Sequence, residues 1–467
     1  MTHPSGRILS TLNADGSRRR LRPNLSEGQF WKKRRVVAYL LMFVFFIIPY
    51  LRLNGKPLVL LDLPRREFTI IGTTFLPTDT LLFMLLFVIA GVAIFLATAL
   101  FGRVWCGWGC PQTVYMEFLF RPLERWIEGG RTGTLALDRQ GGLQPRRLFK
   151  YAVFLLLALF LAHTFLAYFV GIERLLHWVR SSPAEHPTAF LLMGGTTTAI
   201  LFDFTYFREQ TCLVACPYGR LQSVLLDRQS LIVGYDVNRG EPRGKGTKDR
   251  AAAQGDCIDC GACVMTCPTG IDIRDGLQME CIHCTQCADA CDDIMDRVGT
   301  PRGLVRYTSR DEVEGKLRKL LRPRVILYPA ALTIAVVAFL YFLGTRLDAD
   351  VTILRGIGAP YSLEADGRVV NQVRIRVTNR GRETRDYRIE LSGGEGAEVI
   401  SPENPLRVAA GERRSTSLFI VGPRRLFHDG ELCIGFTISD GKEYSQTLPY
   451  TLIGPEGDGD NEWKERQ

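Results

Sequence analysis

Twelve of the chain's thirteen cysteines fall into patterns that do chemistry. WCGWGCPQTVYMEF sets Cys106 and Cys110 four positions apart with Pro111 directly after, and TCLVACPYGRLQS repeats this with Cys212, Cys216 and Pro217. On a helix such a pair shares one face a turn apart, and the proline marks where that helix breaks or a new one begins. Four soft sulfur ligands gathered in this way suit Cu(I), an iron-sulfur centre or zinc. Three readings stay open: copper handling or thiol redox, a third metal cluster, and inert packing. A buried thiol behaves as a small hydrophobe, but packing alone gives no reason for C-x3-C-P to recur.

The other eight form GDCIDCGACVMTCPTG and MECIHCTQCADACDD, each spaced C-x2-C-x2-C-x3-C. This is the spacing of a bacterial ferredoxin with two [4Fe-4S] clusters, in which the fourth cysteine of each run serves the other cluster. The rule assigns Cys257, Cys260, Cys263 and Cys291 to one cluster, and Cys281, Cys284, Cys287 and Cys267 to the second. Zinc knuckles are disfavoured, because zinc tetrads rarely interleave in this way. One departure stands out: Asp292 follows Cys291, where Pro268 follows Cys267. Asp256, Asp259, Asp272, Asp275, Glu280, Asp289, Asp292, Asp293 and Asp296 crowd the module, and such charge disfavours adding an electron.

The elements that must position these thiols are apolar. Val36–Leu51, Leu81–Phe101, Tyr151–Ile172, Thr188–Phe207 and Val325–Gly344 each approach the ~20 residues that cross a bilayer as helix. Phe46-Ile47-Ile48-Pro49-Tyr50-Leu51-Arg52 offers no small-residue cleavage site, so the first stretch is not a signal peptide. Residues 1–35 carry nine Lys and Arg and 102–150 carry eight, against four in 52–80 and two in 173–187. Basic segments stay in the cytoplasm, so the N-terminus is expected inside and, after five spans, the C-terminus outside. Both C-x3-C-P pairs then lie at the cytoplasmic face, where clustered thiols bind metal or do redox work more often than they form disulfides. The net charge of +9 sits on the membrane flanks, where anionic lipid attracts it, and implies no nucleic-acid partner.

The expected organisation is a basic cytoplasmic segment (1–35), four spans with the first C-x3-C-P motif (36–210), and a cytoplasmic linker with the second (211–250). The ferredoxin domain (251–300), a linker (301–324) and the last span (325–344) follow. Short alternating runs such as VRIRVTN, YRIELSG and ELCIGFTIS make 347–454 a periplasmic immunoglobulin-like β-sandwich, and 455–467 a disordered tail. The fold class is therefore membrane α-helical with an inserted 2x[4Fe-4S] module and a C-terminal all-β domain. His163 in mid-membrane is expected to bond to a neighbouring helix, and Asp203 to be solvated at the boundary. His177 and His186 read as external loop residues that could meet metal or quinone, and Cys433 as a buried strand residue.

WCGWGCPQTVYMEF, TCLVACPYGRLQSVLLD, the eight-cysteine run and the terminal sandwich together resemble the FixG/CcoG accessory proteins of cbb-type cytochrome c oxidase, over nearly the whole chain. The C-x3-C-P pairs also resemble those of membrane ferredoxin subunits serving nitrate and nitrous oxide reductases, and the external sandwich favours the oxidase-accessory family. The resemblance implies an inner-membrane oxidoreductase that reduces Cu(II) to Cu(I) for oxidase assembly, with copper at Cys106, Cys110, Cys212 and Cys216. Its implied partners are oxidase assembly factors, a copper chaperone or transporter, and a cytoplasmic electron donor. A ferredoxin-type carrier exchanging electrons with quinone, and a non-enzymatic scaffold, are the alternatives.

Overall fold

The computed structural model describes residues 9–13, 15–53, 55–142, 144–244, 255–317, 321–381, 383–442 and 444–455. It forms two compact units, Met1–Phe339 and Leu340–Gln467. Apart from Pro455, the expected tail lies outside the described residues.

Among the described residues, four helices are long and apolar enough to cross a membrane: Thr80–Phe101, Pro145–Val170, Pro187–Phe207 and Pro323–Gly344. Phe87, Leu191 and Ile334 point outward from three of them, an arrangement suited to hydrocarbon. The expected first span is shifted: the helix runs Gln29–Ile47 and closes in a 3-10 turn, Ile48–Tyr50, opened by Pro49. Good helix formers at Lys32–Arg35 extend it backwards, so only its second half is apolar. Its end still reaches the far end of the third span, where Tyr168 donates to the Phe45 carbonyl at 2.6 Å and Phe46 stacks on Phe160 at 4.8 Å. It therefore bridges the same two levels as the longer helices.

The basic N-terminal segment does not lie free at a lipid surface. Asn24 donates its N–H to the Met265 carbonyl (2.9 Å), Thr266 returns a bond to the Asn24 carbonyl (2.9 Å), and Ser10 reaches Thr269 (2.7 Å). The segment is a strap across the cysteine-rich module. The first helix starts there too. Gly28 precedes it without a capping side chain of its own, and the Asp289 carboxylate takes the N–H groups of Phe30 (3.0 Å) and Trp31 (2.7 Å). A Cβ at Gly28 would fall 2.2 Å from that carboxylate, so only glycine admits it.

The expected linkers on either side of the ferredoxin are also structured. Ile232–Tyr235 pairs antiparallel with Val305–Thr308, closing the module where the chain enters and leaves it. Between them, Gln286–Val298 is the long helix. It carries Cys291 in its middle and runs on through Asp292, whose carboxylate takes the Gly303 N–H at 2.8 Å. The missing proline thus lets the helix continue. Residues 52–75, read only as a connection, hold a three-stranded meander (Val59–Asp62, Glu67–Ile70, Thr73–Phe75).

The second unit is the expected sandwich. One sheet orders Glu398–Ile400, Arg413–Gly422, Val369–Asn379 and Ala349–Arg355, with Ser362–Leu363 also on Val369–Asn379; the other orders Leu406–Val408, Arg385–Ser392, Glu431–Ser439 and Ser445–Ile453. Alternate residues Val373, Ile375 and Val377 face a core with Tyr387, Leu418 and Phe436. Pro449, which cannot donate to a ladder, sits in the edge strand. Cys433 differs from expectation: it is exposed, on the face turned from the core.

Asp289→Ala leaves the Phe30 and Trp31 amides unpaired at a cost of about 1–3 kcal/mol. Amide exchange in the first turn of Gln29–Ile47 is expected to speed up roughly tenfold or more, while Asp289→Asn, which keeps one acceptor, should fall between.

Candidate functional site

The two C-x3-C-P segments are backbone repeats. Gly102 and Arg208 each stand four residues before the first cysteine of their pair, and both turn the chain at positive φ (60° and 53°) as an apolar helix ends. A short helical turn follows, Val104–Trp108 or Thr211–Ala215. Cys110 and Cys216 then adopt extended backbone as N-caps of new helices opened by Pro111 and Pro217. The two cysteines of a pair therefore do not share one continuous helix, and the proline marks a beginning. Gly219 donates its N–H to the Cys216 sulfur at 3.4 Å.

Gln222, on the helix after the second pair, joins the two repeats. It accepts from the Cys106 thiol at 3.0 Å and donates to Thr98 (3.2 Å) and Tyr218 (2.7 Å). The four thiols are close enough to oppose each other's ionisation; Cys212 feels Cys110, Cys106 and Cys216. Burial pushes Cys106, Cys110 and Cys212 up, so they rest as neutral thiols, and Arg103 is the largest influence pulling Cys106 back. Asp203, expected to be solvated, is half-buried and accepts from Thr211, the residue before Cys212.

This quartet packs on the ferredoxin. A Cβ at Gly107, between the first pair, would stand 2.7 Å from the Ile282 carbonyl oxygen and 2.8 Å from the Cys284 Cα. Cys106, Ile282 and Cys284 share one buried cluster. Arg103 spans the junction: its N–H bonds to His283 Nδ1 at 3.2 Å and its guanidinium to the Met279 carbonyl. Burial, with Arg103 nearby, lowers the His283 imidazole to about 3. Trp108 donates to the Tyr307 hydroxyl (2.8 Å), which donates to the His283 carbonyl (3.0 Å).

Cys257, Cys260, Cys263 and Cys291 line one pocket. Cys267, Cys281, Cys284 and Cys287 line another, with Cys263 also on its wall. The ligand loops fold alike: Asp259 and His283 both take positive φ, as do Gly261 and Thr285 two residues later. Three of these four are not glycine, a strain of about 1–3 kcal/mol each that the surroundings must hold. Among the described residues, no three cysteine, histidine or carboxylate groups close on a point fit for one ion. Sulfurs set around a void suit a multi-iron cluster better than a tetrahedral ion.

Arg34 adds a test of that fit. It is fully buried, donates Nε to the Gly107 carbonyl at 2.9 Å, lies over the Phe118 ring at 5.4 Å, and among the described residues finds no hydrogen-bond acceptor for Nη1 and Nη2. Burial raises the Cys284 thiol to about 11, and Arg34 is the largest influence against it. A buried guanidinium with unbonded Nη groups is costly, and although the Asp289 carboxylate feels its charge, thiolate-bound iron beside Cys284 would supply a further anion. The acidic crowding is largely offset, since Arg274 holds Asp272 and Asp259 at 2.6 Å, Arg302 holds Asp296 at 2.5 Å, Arg297 holds Asp293 at 2.7 Å, and Arg239 pairs with Asp256.

The remaining candidates lie elsewhere. His163 bonds to the Leu159 carbonyl of its own helix at 2.8 Å, not to a neighbouring helix. The rings of His177 and His186 come within 6.1 Å at the opposite level, without a third ligand among the described residues.

Comparison with known proteins bears on this arrangement. Protein RdxB of Cereibacter sphaeroides is 36% identical over 426 residues, 85% of this chain and 88% of its own. The chain belongs to the FixG family. RdxA of the same organism is 35% identical over 80% of this chain and 82% of its own, and the nitrogen fixation protein FixG of Rhizobium meliloti is 32% identical over 80% of each. The family model for the immunoglobulin-like fold at the C-terminus of FixG matches 339–455, and a 4Fe-4S dicluster domain matches 207–310. A 4Fe-4S binding domain matches 81–129, a stretch whose cysteines are Cys106 and Cys110. The chain is thus a membrane iron-sulfur electron-transfer protein, an oxidoreductase of the FixG type.

Arg34, Arg103, Gly107, Gln222 and His283 escape motif reading. Gly107 leaves a signal, a glycine between two functional cysteines where another backbone must come close. Arg34 is hidden in a basic run that reads as surface.

Arg34→Gln removes the buried charge beside Cys284. The reduction potential of one cluster is expected to fall by on the order of 60 mV, a tenfold change for one electron, while the other stays. Redox titration followed by electron paramagnetic resonance resolves the two.

Proposed function

We propose that this protein reduces Cu(II) to Cu(I) for assembly of a cbb-type cytochrome c oxidase. The observation that carries this reading is the contact of Gly107 with Cys284, which seats four soft thiols against the wall of a cysteine-lined cavity. In this reading one [4Fe-4S] cluster is held by Cys257, Cys260, Cys263 and Cys291 and the second by Cys267, Cys281, Cys284 and Cys287. When bound, they supply single electrons at low potential.

Cys106, Cys110, Cys212 and Cys216, no three of which meet at one point as they stand, would close on Cu(II) as it binds, and since three of these thiols rest protonated, ligation releases protons. One electron converts Cu(II) to Cu(I), the oxidation state that thiolates hold. Arg103 and Gln222 keep the two pairs facing each other, and Ile282 closes the apolar side against water. Copper comes from a chaperone or transporter and leaves to an oxidase assembly factor, and the electron comes from a cytoplasmic donor.

We further infer an inner-membrane location with the ferredoxin in the cytoplasm and the sandwich in the periplasm, from the distribution of Lys and Arg between the connecting segments. A reporter fused after Gly454 is expected to be active in the periplasm only; cytoplasmic activity would reverse the assignment.

The match of a 4Fe-4S binding domain to 81–129 favours a second reading, in which the same four cysteines hold a third iron-sulfur cluster. Cys110→Ser and Cys216→Ser separate the two. Serine is a good N-cap, so both helices keep their starts while soft ligation is lost. Each variant is expected to lose Cu(I) affinity and copper reduction by tenfold or more with iron content unchanged, and the double variant should be little worse than either. Iron lost from both variants would favour the third cluster. Reduction of a quinone analogue with no response to Cu(II) would favour a quinone-linked carrier, and clusters that never change redox state a scaffold.

A further inference from the structure

A third pocket, apart from the cysteines, lies where the third and fourth spans end on the ferredoxin side. It is partly open, about 710 Å³ with the solvent at its mouth, between the N-terminal strap, the first turns of Pro145–Val170 and the last of Pro187–Phe207. Arg18, Arg20, Arg22, Arg147, Lys150 and Arg208 line it, against the carboxylates of Glu124, Asp138 and Glu209.

Those carboxylates are shared among several cations. Glu124 takes Arg208 at 3.0 and 2.9 Å, Lys150 at 3.3 Å and Arg22 at 3.5 Å. Asp138 takes Arg22 at 3.4 Å and also Arg147, and Glu209 takes Arg18 at 3.3 Å. Burial alone would raise the Glu124 carboxyl, but Arg208 and its neighbours hold it far below the ordinary range. Lys150 also reaches Glu128, at 2.5 Å. With that residue counted, cations still outnumber carboxylates by two around the pocket.

Two observations say that the wall's donors exceed its acceptors. Among the described residues, Arg18, Arg147 and Arg208 each keep a buried Nε–H without a hydrogen-bond acceptor, against one carboxylate oxygen of the wall, Glu209 Oε2, that is likewise unbonded and stands 3.9 Å from Arg208 Nε. Arg20, exposed to solvent, lines the same pocket without an acidic partner among the described residues. Like charges crowded in this way are costly unless an anion joins them. The level of the cavity narrows the choice of anion. Tyr151, early in one span, and Tyr206, late in the other, form part of its wall, a place typical of side chains at the headgroup level. Basic pockets between membrane helices are sites for anionic headgroups.

We propose that this cavity binds a phosphate group, supplied at this level by an anionic phospholipid. The guanidinium groups match phosphate oxygens as forked donors, and the excess of positive charge matches a phosphoryl anion. The bound headgroup would tie the strap, both spans and the turn before Cys212 together. The proposal does not depend on what the cysteines bind.

Full-length protein, stripped of lipid in detergent, is titrated with phosphatidylglycerol, phosphatidylcholine or inorganic phosphate while thermal stability and retained lipid are followed. Phosphatidylglycerol is expected to bind and raise the melting temperature. Phosphatidylcholine, whose choline cancels the phosphate charge, should bind far more weakly. Arg20→Ala leaves the ion pairs intact and should weaken phosphatidylglycerol binding roughly fivefold, about 1 kcal/mol. Arg139→Ala, a basic residue off the wall, should leave it unchanged. Stabilisation by inorganic phosphate that is lost in Arg20→Ala supports the phosphate site but assigns it a soluble ligand. Equal binding of both lipids, equal effects of the two substitutions, or no binding of any phosphate compound overturns the proposal.

Discussion

Where Gly107 meets Cys284, backbone touches backbone, and much of the cysteine-rich half depends on that approach. A single added carbon at residue 107 would collide with the Ile282 carbonyl and the Cys284 Cα. Because the two main chains are in contact, Trp108 can reach Tyr307, Arg103 can reach His283, and Arg34 can lie beneath both with its Nε on the Gly107 carbonyl. Electron transfer profits from short paths, and this junction leaves no layer of solvent between the paired thiols and the ferredoxin loop. The first helix belongs to the same arrangement. Its amino end is completed by a carboxylate from the ferredoxin helix, so a membrane element and the cluster-bearing module share one folding unit.

The junction also explains why strain is tolerated around it. His283 and Thr285 take left-handed backbone in a loop that must place Cys281, Cys284 and Cys287 around a void. Hydrogen bonds from Arg103 and Tyr307 hold that loop from outside, which is the usual condition for such conformations to persist. On the thiol side, Arg208 carries the same positive φ that Gly102 carries in the first repeat, and the bidentate pair with Glu124 anchors it. One repeat uses the residue with the least steric cost; the other uses an arginine whose head is locked in place.

Much of this was legible from residue type and spacing. The two tetrads, the four longest apolar helices and the alternating strands of the sandwich follow from rules of period and length that tertiary contacts rarely override. The repeat of C-x3-C-P was visible, but its geometry was not: only the structure shows that each second cysteine opens a new helix. Arg34 and Arg18 were illegible for a different reason. A basic run looks the same whether it meets water, lipid or a buried carbonyl, and which one it meets depends on elements more than seventy residues away along the chain. The meander at 52–75 escaped because strands of three or four residues barely show a period.

The antiparallel pair Ile232–Tyr235 and Val305–Thr308 has a consequence for how such a protein can change over time. Since the chain enters and leaves the cluster-bearing module through neighbouring strands, the gap between them is the same whatever is held there. The module is therefore a cassette. A longer or shorter electron carrier could be spliced in at that hairpin, provided that it still offers a bare backbone to Gly107, a carboxylate to the start of the first helix and a seat for the N-terminal strap.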